Sequence, residues 1–554
     1  MKRSDDRNHV DSSHFAEVPL DVVIIGGGIV GTGIARDASL RGMSVALFES
    51  NDLSCGTTSR SSRLIHGGLR YLDVYDFGLV LKDLRERETL LYIAPHLIRP
   101  LKFVVPNYEG DFYRRLRLRL GMIVYDLFST GKSLPSHKML SSKKVLALES
   151  GLKREGLMGG AVFYDCQASF VERIAIENAI SAAENGAKLF NHSRVISCEK
   201  DQETSMMIVT VEDDLSKERF KIRTKILINA TGPWADDVIK FLFSSKTQQV
   251  NRLRLTKGIH VAIPKINQNA IILYAKSDQR LFFVLPWFQY TLIGTTDTDY
   301  SGDPEKAEAS SEDIRYLLTE SSAFVHGISA DQIRFTYAGV RPLVSTDPRK
   351  KESSVSRHYR IVDHSKEGLD GVISVLGVKI TSYRMASKET TDLISKKLGR
   401  STKCSTDKVP LPGGRGIRIL EEFVEGNLEK LEEFGLDKNQ VAHLVGIYGS
   451  RVDELIALIE ADRKNSERIC PNNPDIVAQI ALAINQEFAL TLSDFLLRRT
   501  SIAFSECRGS DCAEKVAAIM ARMLNWDDTR ISHEISSYKK ALELQLPVNL
   551  LPTI

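Results

Sequence analysis

The sequence predicts an α/β fold in which a parallel sheet covered by helices is joined to a mostly antiparallel sheet and a C-terminal α-helical domain. Three stretches support this prediction. Residues 21–49 have the pattern of strand, glycine-rich turn, helix and second strand. Residues 251–345 contain short apolar runs separated by turn residues, which is typical of antiparallel strands. Residues 415–545 follow helical periodicity and are rich in Glu and Lys.

The first stretch carries a dinucleotide-binding pattern. A short apolar run leads into Gly26-x-Gly28-x-x-Gly31, and a second strand-like run ends on Glu49. Gly26 permits a tight turn, Gly28 lets the backbone approach a pyrophosphate, and Gly31 lets the helix pack on the strand. The helix N-terminus attracts the anion. Glu49 stands near the roughly 20-residue offset at which an acid binds the ribose. The pattern predicts a dinucleotide site but does not separate NAD from FAD.

Two later segments extend this site. The apolar run that ends in Ala230-Thr231-Gly232 resembles the second nucleotide contact of flavoproteins with two dinucleotide-binding folds. Residues 57–62 are all Ser, Thr or Arg, so that their backbone and hydroxyl donors suit a phosphate or a flavin. The segment His66-Gly67-Gly68-Leu69-Arg70-Tyr71 then places an imidazole, a guanidinium and a phenol around two glycines, where a flat ring system can approach the backbone.

Composition excludes several other classes. The chain has 554 residues, is 43% hydrophobic and carries a net charge of +3, which is too small to argue for nucleic-acid binding. No apolar run is long enough to span a bilayer, and residues 1–20 read as a solvated tail without a secretory signal. The seven cysteines form no CxxC pair and no Cys/His cluster, so we expect a reduced, cytosol-facing protein without a metal.

Taken together, the motifs resemble the FAD-dependent glycerol-3-phosphate dehydrogenase family, within the larger group of two-dinucleotide-fold flavoprotein oxidases. The resemblance runs from about residue 21 to beyond residue 500 and rests on GGGIVGTGIARDASLRG, SSRLIHGGLRYL, INATGPWADD, LTKGIHVAIP, IGTTDTDYSGDP, YAGVRPL, GVKITSYR and LRRTSIAF. It differs from the usual family pattern at Gly377-Val378-Lys379, where a second glycine is usual, and at Arg63, where Lys is common. No EF-hand spacing is present, so calcium control is not expected.

The resemblance implies a Rossmann-like FAD-binding domain interleaved with an antiparallel substrate or cap domain. The FAD-binding domain is expected at 21–75, 161–250 and 346–405, the cap domain at 76–160 and 251–345, and the helical domain at 406–554. The implied reaction is oxidation of sn-glycerol 3-phosphate to dihydroxyacetone phosphate. A hydride passes from C2 to flavin N5, and the electrons go to a membrane quinone, in glycerol and glycerophospholipid metabolism.

The resemblance also implies roles for individual residues. His66 and His260 are the candidate bases for the C2 hydroxyl, and Arg341 is expected to stabilise developing oxyanion charge. The substrate phosphate is expected at Arg70, Tyr71, Arg341, Arg357 and Lys379. The FAD contacts are expected at Gly26, Gly28, Gly31, Glu49, Thr57, Thr58, Ser62, His66, Gly68, Ala230, Gly232, Gly377, Lys379 and Thr381.

Residues 112–128, FYRRLRLRLGMIVYDLF, predict a membrane contact. On a helix, Leu116, Leu120, Ile123, Val124 and Leu127 form one stripe with arginines beside it, which is the pattern of a helix lying in an anionic interface. A basic helix packed on the core, or a strand through RLRLR, is the alternative. The resulting hypothesis is a peripheral protein on the cytoplasmic face of the inner membrane, with a homodimer as a further partner hypothesis.

Three rival functions remain at this stage. An oxygen-dependent glycerol-3-phosphate oxidase would share the substrate site. An amine or amino-acid oxidase would bind a carboxylate and need fewer cations than Arg70, Arg341 and Lys379 supply. A non-catalytic flavin-binding regulator would keep the flavin motifs without reacting with the substrate.

Overall fold

The computed structural model describes residues 18–69, 71, 75–108, 112–129, 133–243, 252–344 and 358–543, and only the backbone of residues 112–115. The strands are β1 (Leu20–Ile25), β2 (Val45–Phe48), β3 (Leu64–Ile65), β4 (Arg99–Tyr108), β5 (Lys138–Ser141), β6 (Leu157–Gln167), β7 (Lys188–Phe190), β8 (Ser193–Lys200), β9 (Met207–Asp213), β10 (Arg219–Asn229), β11 (Leu253–Pro264), β12 (Ala270–Tyr274), β13 (Leu281–Trp287), β14 (Tyr290–Gly294), β15 (Thr298–Asp299), β16 (Phe335–Val344), β17 (Arg360–Asp363) and β18 (Val372–Leu376).

The α-helices surround two sheets and continue into a helical C-terminal part. They are α1 (Ile29–Leu40), α2 (Phe77–Ile93), α3 (Phe112–Phe128), α4 (Ser142–Leu148), α5 (Glu172–Glu184), α6 (Ala235–Phe243), α7 (Ser311–Ser322), α8 (Tyr383–Lys397), α9 (Leu420–Glu432), α10 (Lys438–Tyr448), α11 (Val452–Ala461), α12 (Ala478–Gln486), α13 (Leu492–Arg498), α14 (Ala513–Leu524) and α15 (Asp528–Glu543).

The first sheet has the order β17-β18-β10-β1-β2-β7, with β9 paired to β10 and β8 to β9. From β18 to β7 the neighbouring strands are parallel. Strand β1 reads LDVVII and is buried almost throughout, as a central strand covered by helices must be. Parallel strands end at one edge of a sheet, so the residues that follow Ile25, Phe48, Asn229 and Leu376 lie together. This edge forms one wall of the candidate site.

The second sheet has the order β15-β11-β14-β13-β12-β4-β6-β3, with β16 paired to β11 and β5 to β6. All pairs are antiparallel except β12 with β4. The prediction of a mostly antiparallel sheet is therefore confirmed. The boundary expected at residue 161 differs from the structure, because it falls inside β6, and all of β6 pairs within this second sheet. A local pattern cannot assign a strand to one of two sheets, because the assignment depends on distant pairing partners.

The C-terminal helices pack around their own apolar core, which includes Leu444, Leu455 and Phe495. Buried ion pairs join them to the rest of the chain. Arg499 forms a bidentate pair with Asp52, with both side chains fully buried. Arg173 on α5 pairs with Glu487 in the same way. The predicted α/β fold with a C-terminal helical domain is confirmed.

Residues 112–128 form a helix, α3, and not a strand. Its inner face buries Met122 and Tyr125, whereas Leu116, Leu120, Ile123 and Leu127 are 46–69% exposed. Within the described residues, no helix is both long and apolar enough to cross a bilayer.

Candidate active site

A cavity of about 650 Å³ lies between the carboxyl edge of the first sheet and the second sheet. That volume falls within the roughly 300–1,000 Å³ of ligand and cofactor pockets. Most of the expected cofactor contacts line it: Gly26, Gly28, Glu49, Thr57, Thr58, Ser62, His66, Ala230, Gly232, Gly377, Lys379 and Thr381. Arg341 lines it too. Four of the expected site residues in the described part of the chain, Gly31, Gly68, Tyr71 and His260, are not among the residues that line it.

At one end of the cavity, close backbone contacts leave no room for side chains. Gly26 has φ +107°, and a Cβ there would lie 2.7 Å from the Ala230 carbonyl oxygen. A Cβ on Gly31 would lie 1.9 Å from the Gly26 carbonyl oxygen. Glycine at these two positions therefore allows α1 and the end of β10 to approach the turn after β1 closely. We call this end of the cavity the nucleotide end.

Glu49 and Thr58 complete the nucleotide end. The Glu49 carboxylate accepts hydrogen bonds from the backbone N–H groups of Gly27 (2.7 Å) and Asn51 (2.9 Å). Burial raises the pKa of this carboxyl group, and the two N–H donors oppose that rise. Thr58 Oγ1 accepts a hydrogen bond from the Ile29 N–H (3.1 Å) and so satisfies the first donor of α1. The next N–H groups of α1 have no acceptor within the helix, so they are suited to an anion.

These features fit the pyrophosphate and ribose of FAD. The turn carries no side chain that would block a phosphate, the helix N-terminus supplies donors, and no acidic residue occupies the first turn of α1. Glu49 lines the cavity with acceptor oxygens for ribose hydroxyls.

At the other end of the cavity, which we call the catalytic end, His66 has a defined hydrogen-bonding role. Its Nδ1 accepts a hydrogen bond from the Gly68 N–H (3.1 Å). Burial, together with the nearby Lys379 ammonium, lowers the pKa of His66 to about 4. Neutral His66 with an occupied Nδ1 acceptor carries its proton on Nε2. Its outward nitrogen is therefore a donor and not a base.

His260 is paired with Ser62 at the same end. His260 Nε2 lies 2.9 Å from Ser62 Oγ, and its ring stacks on Tyr337 with centroids 4.8 Å apart. Burial and the Arg341 guanidinium lower the pKa of His260 to about 3, so the ring is neutral. Among the described residues, no hydrogen-bond partner meets the buried Nδ1 atom of His260. Ser62 lines the cavity, so its hydroxyl stands between His260 and the cavity.

Arg341 is held by the loop that follows β14. Its guanidinium donates to Thr295 Oγ1 (2.8 Å), to the Thr296 carbonyl oxygen (3.2 Å) and to Asp297 Oδ1 (3.2 Å). It lies over Gly258, where a Cβ would come within 2.2 Å of Arg341 Nη2. The glycine on β11 therefore makes room for the arginine of β16.

Lys379 belongs to a second cation–carboxylate pair. Its Nζ forms an ion pair with Asp83 of α2 and lies 4.4 Å from the centre of the Tyr71 ring. Asp83 is almost fully buried and also accepts a hydrogen bond from Ser382 Oγ (2.6 Å). An ammonium has three N–H donors, so this pairing leaves donors for a further oxyanion. Arg70 and Arg357, the other expected phosphate ligands, lie outside the described residues.

The structure adds lining residues that sequence reasoning missed, and it gives Arg63 a packing role. Ser193, Arg194 and Val195 line the nucleotide end from β8, where the pairing with β9 shifts register after Val195. No local sequence motif marks these three residues of β8. The sequence feature that could have indicated them is the strand-like run in which they lie. Arg63 lines the cavity, but its guanidinium is bidentate to Glu172 and lies 4.7 Å from the Trp287 ring centre.

Comparison with known proteins agrees with this site. Residues 21–377 match the family described as FAD dependent oxidoreductase, and residues 404–531 match the C-terminal domain of alpha-glycerophosphate oxidase. The chain is 36% identical over 538 residues to a glycerol-3-phosphate dehydrogenase of Synechocystis, covering 94% of this chain and 96% of the relative. It is 32% identical over 536 residues to the aerobic glycerol-3-phosphate dehydrogenase of Staphylococcus aureus, covering 94% of each chain.

A solved structure gives the same result at the level of the fold. The glycerol-3-phosphate dehydrogenase of Bacillus halodurans, complexed with FAD, superposes with a TM-score of 0.79 at 27% identity and covers 99% of both chains. The glycine-built nucleotide end, the cation pairs at the catalytic end and these full-length likenesses lead to one conclusion. The chain belongs to the family of FAD-dependent glycerol-3-phosphate dehydrogenases.

Proposed function

We propose that this protein oxidises sn-glycerol 3-phosphate to dihydroxyacetone phosphate and passes the electrons to a membrane quinone. The observation that carries this proposal is the catalytic end of the cavity, where Arg341 and Lys379 stand beside the neutral histidines His66 and His260. An amino-acid substrate presents a single carboxylate and an amine presents none, so neither would need two cations there.

Charge balance indicates how the phosphate is bound. Arg341 is balanced by Asp297 and Lys379 by Asp83, so these four side chains carry no net charge. A phosphate dianion needs additional positive charge. We propose that Arg70 and Arg357 supply it, with Lys379 and Tyr71 donating hydrogen bonds to the same phosphate.

The proton of the C2 hydroxyl needs an acceptor. The acceptor for the hydride that leaves C2 would be supplied by FAD when it is bound. We assign the acceptor role to His260, reached through Ser62 Oγ, because His66 presents a donor nitrogen. A substrate dianion nearby raises the pKa of an imidazole, which makes His260 a stronger base when the site is filled. Arg341 then stabilises the oxygen as it loses its proton.

Rapid-mixing measurement of anaerobic flavin reduction tests this assignment. We expect His260→Gln to slow reduction by about 10²–10⁴-fold, the usual contribution of a general base. Ser62→Ala should also slow it, because the relay is lost, whereas His66→Gln should keep most of the rate. A Ser62→Ala enzyme that reduces its flavin at the wild-type rate would remove Ser62 from the proton path.

The substrate is tested by an anaerobic visible spectrum of the purified protein before and after addition of sn-glycerol 3-phosphate. The expected result is loss of the oxidised-flavin band near about 450 nm. A flavin that ignores this substrate but is reduced by an amino acid would overturn the proposal in favour of an amino-acid oxidase. A flavin that no substrate reduces would indicate a non-catalytic regulator.

The exposed stripe of α3 supports delivery of electrons at a membrane. Leu116, Leu120, Ile123 and Leu127 are exposed along one face, with Arg117 and Arg119 also exposed. A basic helix with an outward apolar face binds the surface of an anionic bilayer. We therefore propose that α3 rests on the cytoplasmic leaflet and brings the FAD site within reach of a quinone.

Vesicle sedimentation tests the membrane contact. We expect wild-type protein to bind vesicles with anionic lipid and Leu120→Asp/Ile123→Asp to lose that binding. Ile419→Asp is the matched control, because Ile419 is equally exposed, at 51%, but lies in the C-terminal part. Equal binding by the double variant would place the contact elsewhere.

An oxygen-dependent glycerol-3-phosphate oxidase is the second candidate, because the C-terminal residues match a domain described for alpha-glycerophosphate oxidase. The dehydrogenase and the oxidase differ only in the electron acceptor, which is quinone for the first and oxygen for the second. Turnover with a quinone analogue far above turnover with dissolved oxygen supports the dehydrogenase; the reverse ratio, with stoichiometric peroxide, supports the oxidase.

A further inference from the structure

Two loops of the C-terminal helical part bring three metal-ligand side chains together. Cys470 lies between α11 and α12, whereas Cys507 and Asp511 lie between α13 and α14. The two sulfur atoms and a carboxylate oxygen lie within 4.8 Å of one another. The two cysteines are 37 residues apart, so no CxxC-type spacing marks the group in the sequence.

The distance between the two sulfur atoms suits one tetrahedral ion, whereas the Cys470 thiol donates to the Asp511 carboxylate in the absence of an ion. The two Sγ atoms are 3.6 Å apart, and Cys470 Sγ is 2.9 Å from Asp511 Oδ2. A disulfide would require about 2.05 Å between the sulfur atoms. Zn²⁺ held at about 2.3 Å from each of two tetrahedral sulfur ligands would separate them by about 3.8 Å. The observed sulfur separation is therefore close to the edge of a zinc tetrahedron.

The backbone of the second loop is shaped to return Asp511 toward Cys507. Arg508 and Gly509 both have positive φ, at +49° and +74°. The Ser510 N–H donates to the Cys507 carbonyl oxygen at 2.9 Å and closes the turn. This tight turn brings the side chains of Cys507 and Asp511, which belong to the same loop, close to each other.

Groups around the sulfur atoms support thiolate ligands. Asn473 Nδ2 donates to Cys470 Sγ at 3.3 Å and lies 3.8 Å from Cys507 Sγ. Ser505 Oγ lies 3.2 Å from Cys507 Sγ. An outer-shell donor such as the Asn473 amide orients the ligands of metal sites. The group is also reachable, because Asp511 is exposed and Cys507 half-buried, while Cys470 is buried.

We propose that Cys470, Cys507 and Asp511 bind one Zn²⁺ ion, with water in the fourth position. Two thiolates and a carboxylate favour a soft, redox-inert divalent ion of tetrahedral preference. Binding forms two Zn–S bonds and one Zn–O bond and releases the two thiol protons to solvent. No electron is transferred in this step.

The ion would tie together the two loops that carry Cys470 and Cys507. Phe504 precedes the second loop and packs on Trp287 with ring centroids 4.8 Å apart, next to Arg63 of the cavity wall. Zinc therefore stabilises the docking of the C-terminal helices on the second sheet. Its loss lowers thermal stability more than turnover, since no ligand touches the cavity.

Metal analysis of the full-length flavoprotein tests the proposal. Protein is produced without a metal-affinity step, incubated with Zn²⁺, dialysed and analysed by mass spectrometry for metal content. We expect one zinc per chain, lost in Cys470→Ser and Cys507→Ser. Cys404→Ser removes one thiol outside the group and should retain the metal. Absence of zinc from the wild type, or equal loss in the control, would overturn the proposal.

Two further measurements keep the test valid if a cysteine variant fails to fold. Asp511→Asn keeps both thiols and the shape of the loop, and it should weaken zinc binding by at least about tenfold because it removes a charged ligand. Co²⁺ in place of zinc should give thiolate-to-metal absorption in the wild type. In denatured protein, five reactive thiols in place of all seven cysteines would show a disulfide and overturn the metal assignment.

Discussion

The two ends of the FAD cavity are built by different means. At the nucleotide end, backbone contacts are so close that only glycine fits at Gly26 and Gly31. At the catalytic end, charged side chains are held by carboxylates, with Lys379 on Asp83 and Arg341 on Asp297. The first end is organised by steric fit and the second by balanced electrostatics. A substitution at the nucleotide end should therefore reduce cofactor loading, whereas a substitution at the catalytic end should reduce substrate turnover.

The largest expected effect is at the nucleotide end. Gly31→Ala places a Cβ 1.9 Å from the Gly26 carbonyl oxygen, which a backbone atom cannot avoid by rotation. We expect the free energy of unfolding to fall by more than about 3 kcal/mol, which is the upper end of the cost of overpacking. We also expect the purified protein to contain no flavin. The flavin-to-protein absorbance ratio measures this. Gly78→Ala, a helical glycine with open space around it, should keep normal flavin content.

The next effect is at the catalytic end. Lys379→Met removes a cation facing the cavity and leaves Asp83 buried without its partner. We expect kcat/KM for sn-glycerol 3-phosphate to fall by about 10²–10³-fold, since losing one partner of a buried charge pair costs about 2–5 kcal/mol. Flavin content should stay high, which distinguishes this variant from one at the nucleotide end.

Lys397→Met is the matched control. The Lys397 side chain is 19% exposed, against 21% for Lys379, and it is also paired with aspartates. A flavin-free Lys379→Met protein would contradict the separation.

The low pKa values of His66 and His260 predict how stability depends on pH. Both histidines are neutral in the folded protein down to about pH 4 and about pH 3. The unfolded chain takes up their protons below about pH 6.5, so the contribution of these two histidines to the free energy of unfolding falls as pH drops through this window and is fully present above it. From pH 6.5 to pH 5 we expect a loss of about 2 kcal/mol per histidine. Denaturant unfolding at several pH values measures this loss. His260→Gln should remove about half of the loss that the two histidines cause between pH 6.5 and pH 5. If the pH dependence of His260→Gln equals that of the wild type, groups other than His260 cause it.

The smallest expected effect concerns Tyr125 of α3. Its hydroxyl donates to Asp165 Oδ2 (2.6 Å) and accepts from the Gly67 N–H (3.1 Å), next to His66. Tyr125→Phe leaves both groups short of a partner, at a cost of about 1–3 kcal/mol. We expect a lower melting temperature and less than a tenfold loss of kcat/KM. Tyr108→Phe removes a half-buried hydroxyl that donates to the carbonyl oxygens of Lys153 and Phe324, away from the cavity lining, and should leave kcat/KM unchanged.

The fold class and the nucleotide end could both be predicted from the amino-acid sequence. Gly26, Gly28, Gly31 and Glu49 belong to one short segment, and a strand–turn–helix–strand unit fixes their relative positions locally. The helical C-terminal part could be predicted as well, because the helical spacing of its apolar residues is a local feature of the sequence. Placement of Ala230, Gly377 and Lys379 at the cavity needed the resemblance to a family as well, since they follow distant strands.

The partners of the side chains that we propose for catalysis could not be predicted from the sequence. Ser62 meets His260 across 198 residues of sequence, and Lys379 meets Asp83 across 296. The same is true of Cys470 with Cys507 and Asp511, which no cysteine spacing in the sequence marks as a group. Pairs of this kind depend on how sheets and helices pack, and packing is set by many weak contacts between distant segments. A spacing motif therefore predicts a backbone turn, whereas the protonation and charge of a site depend on the folded chain.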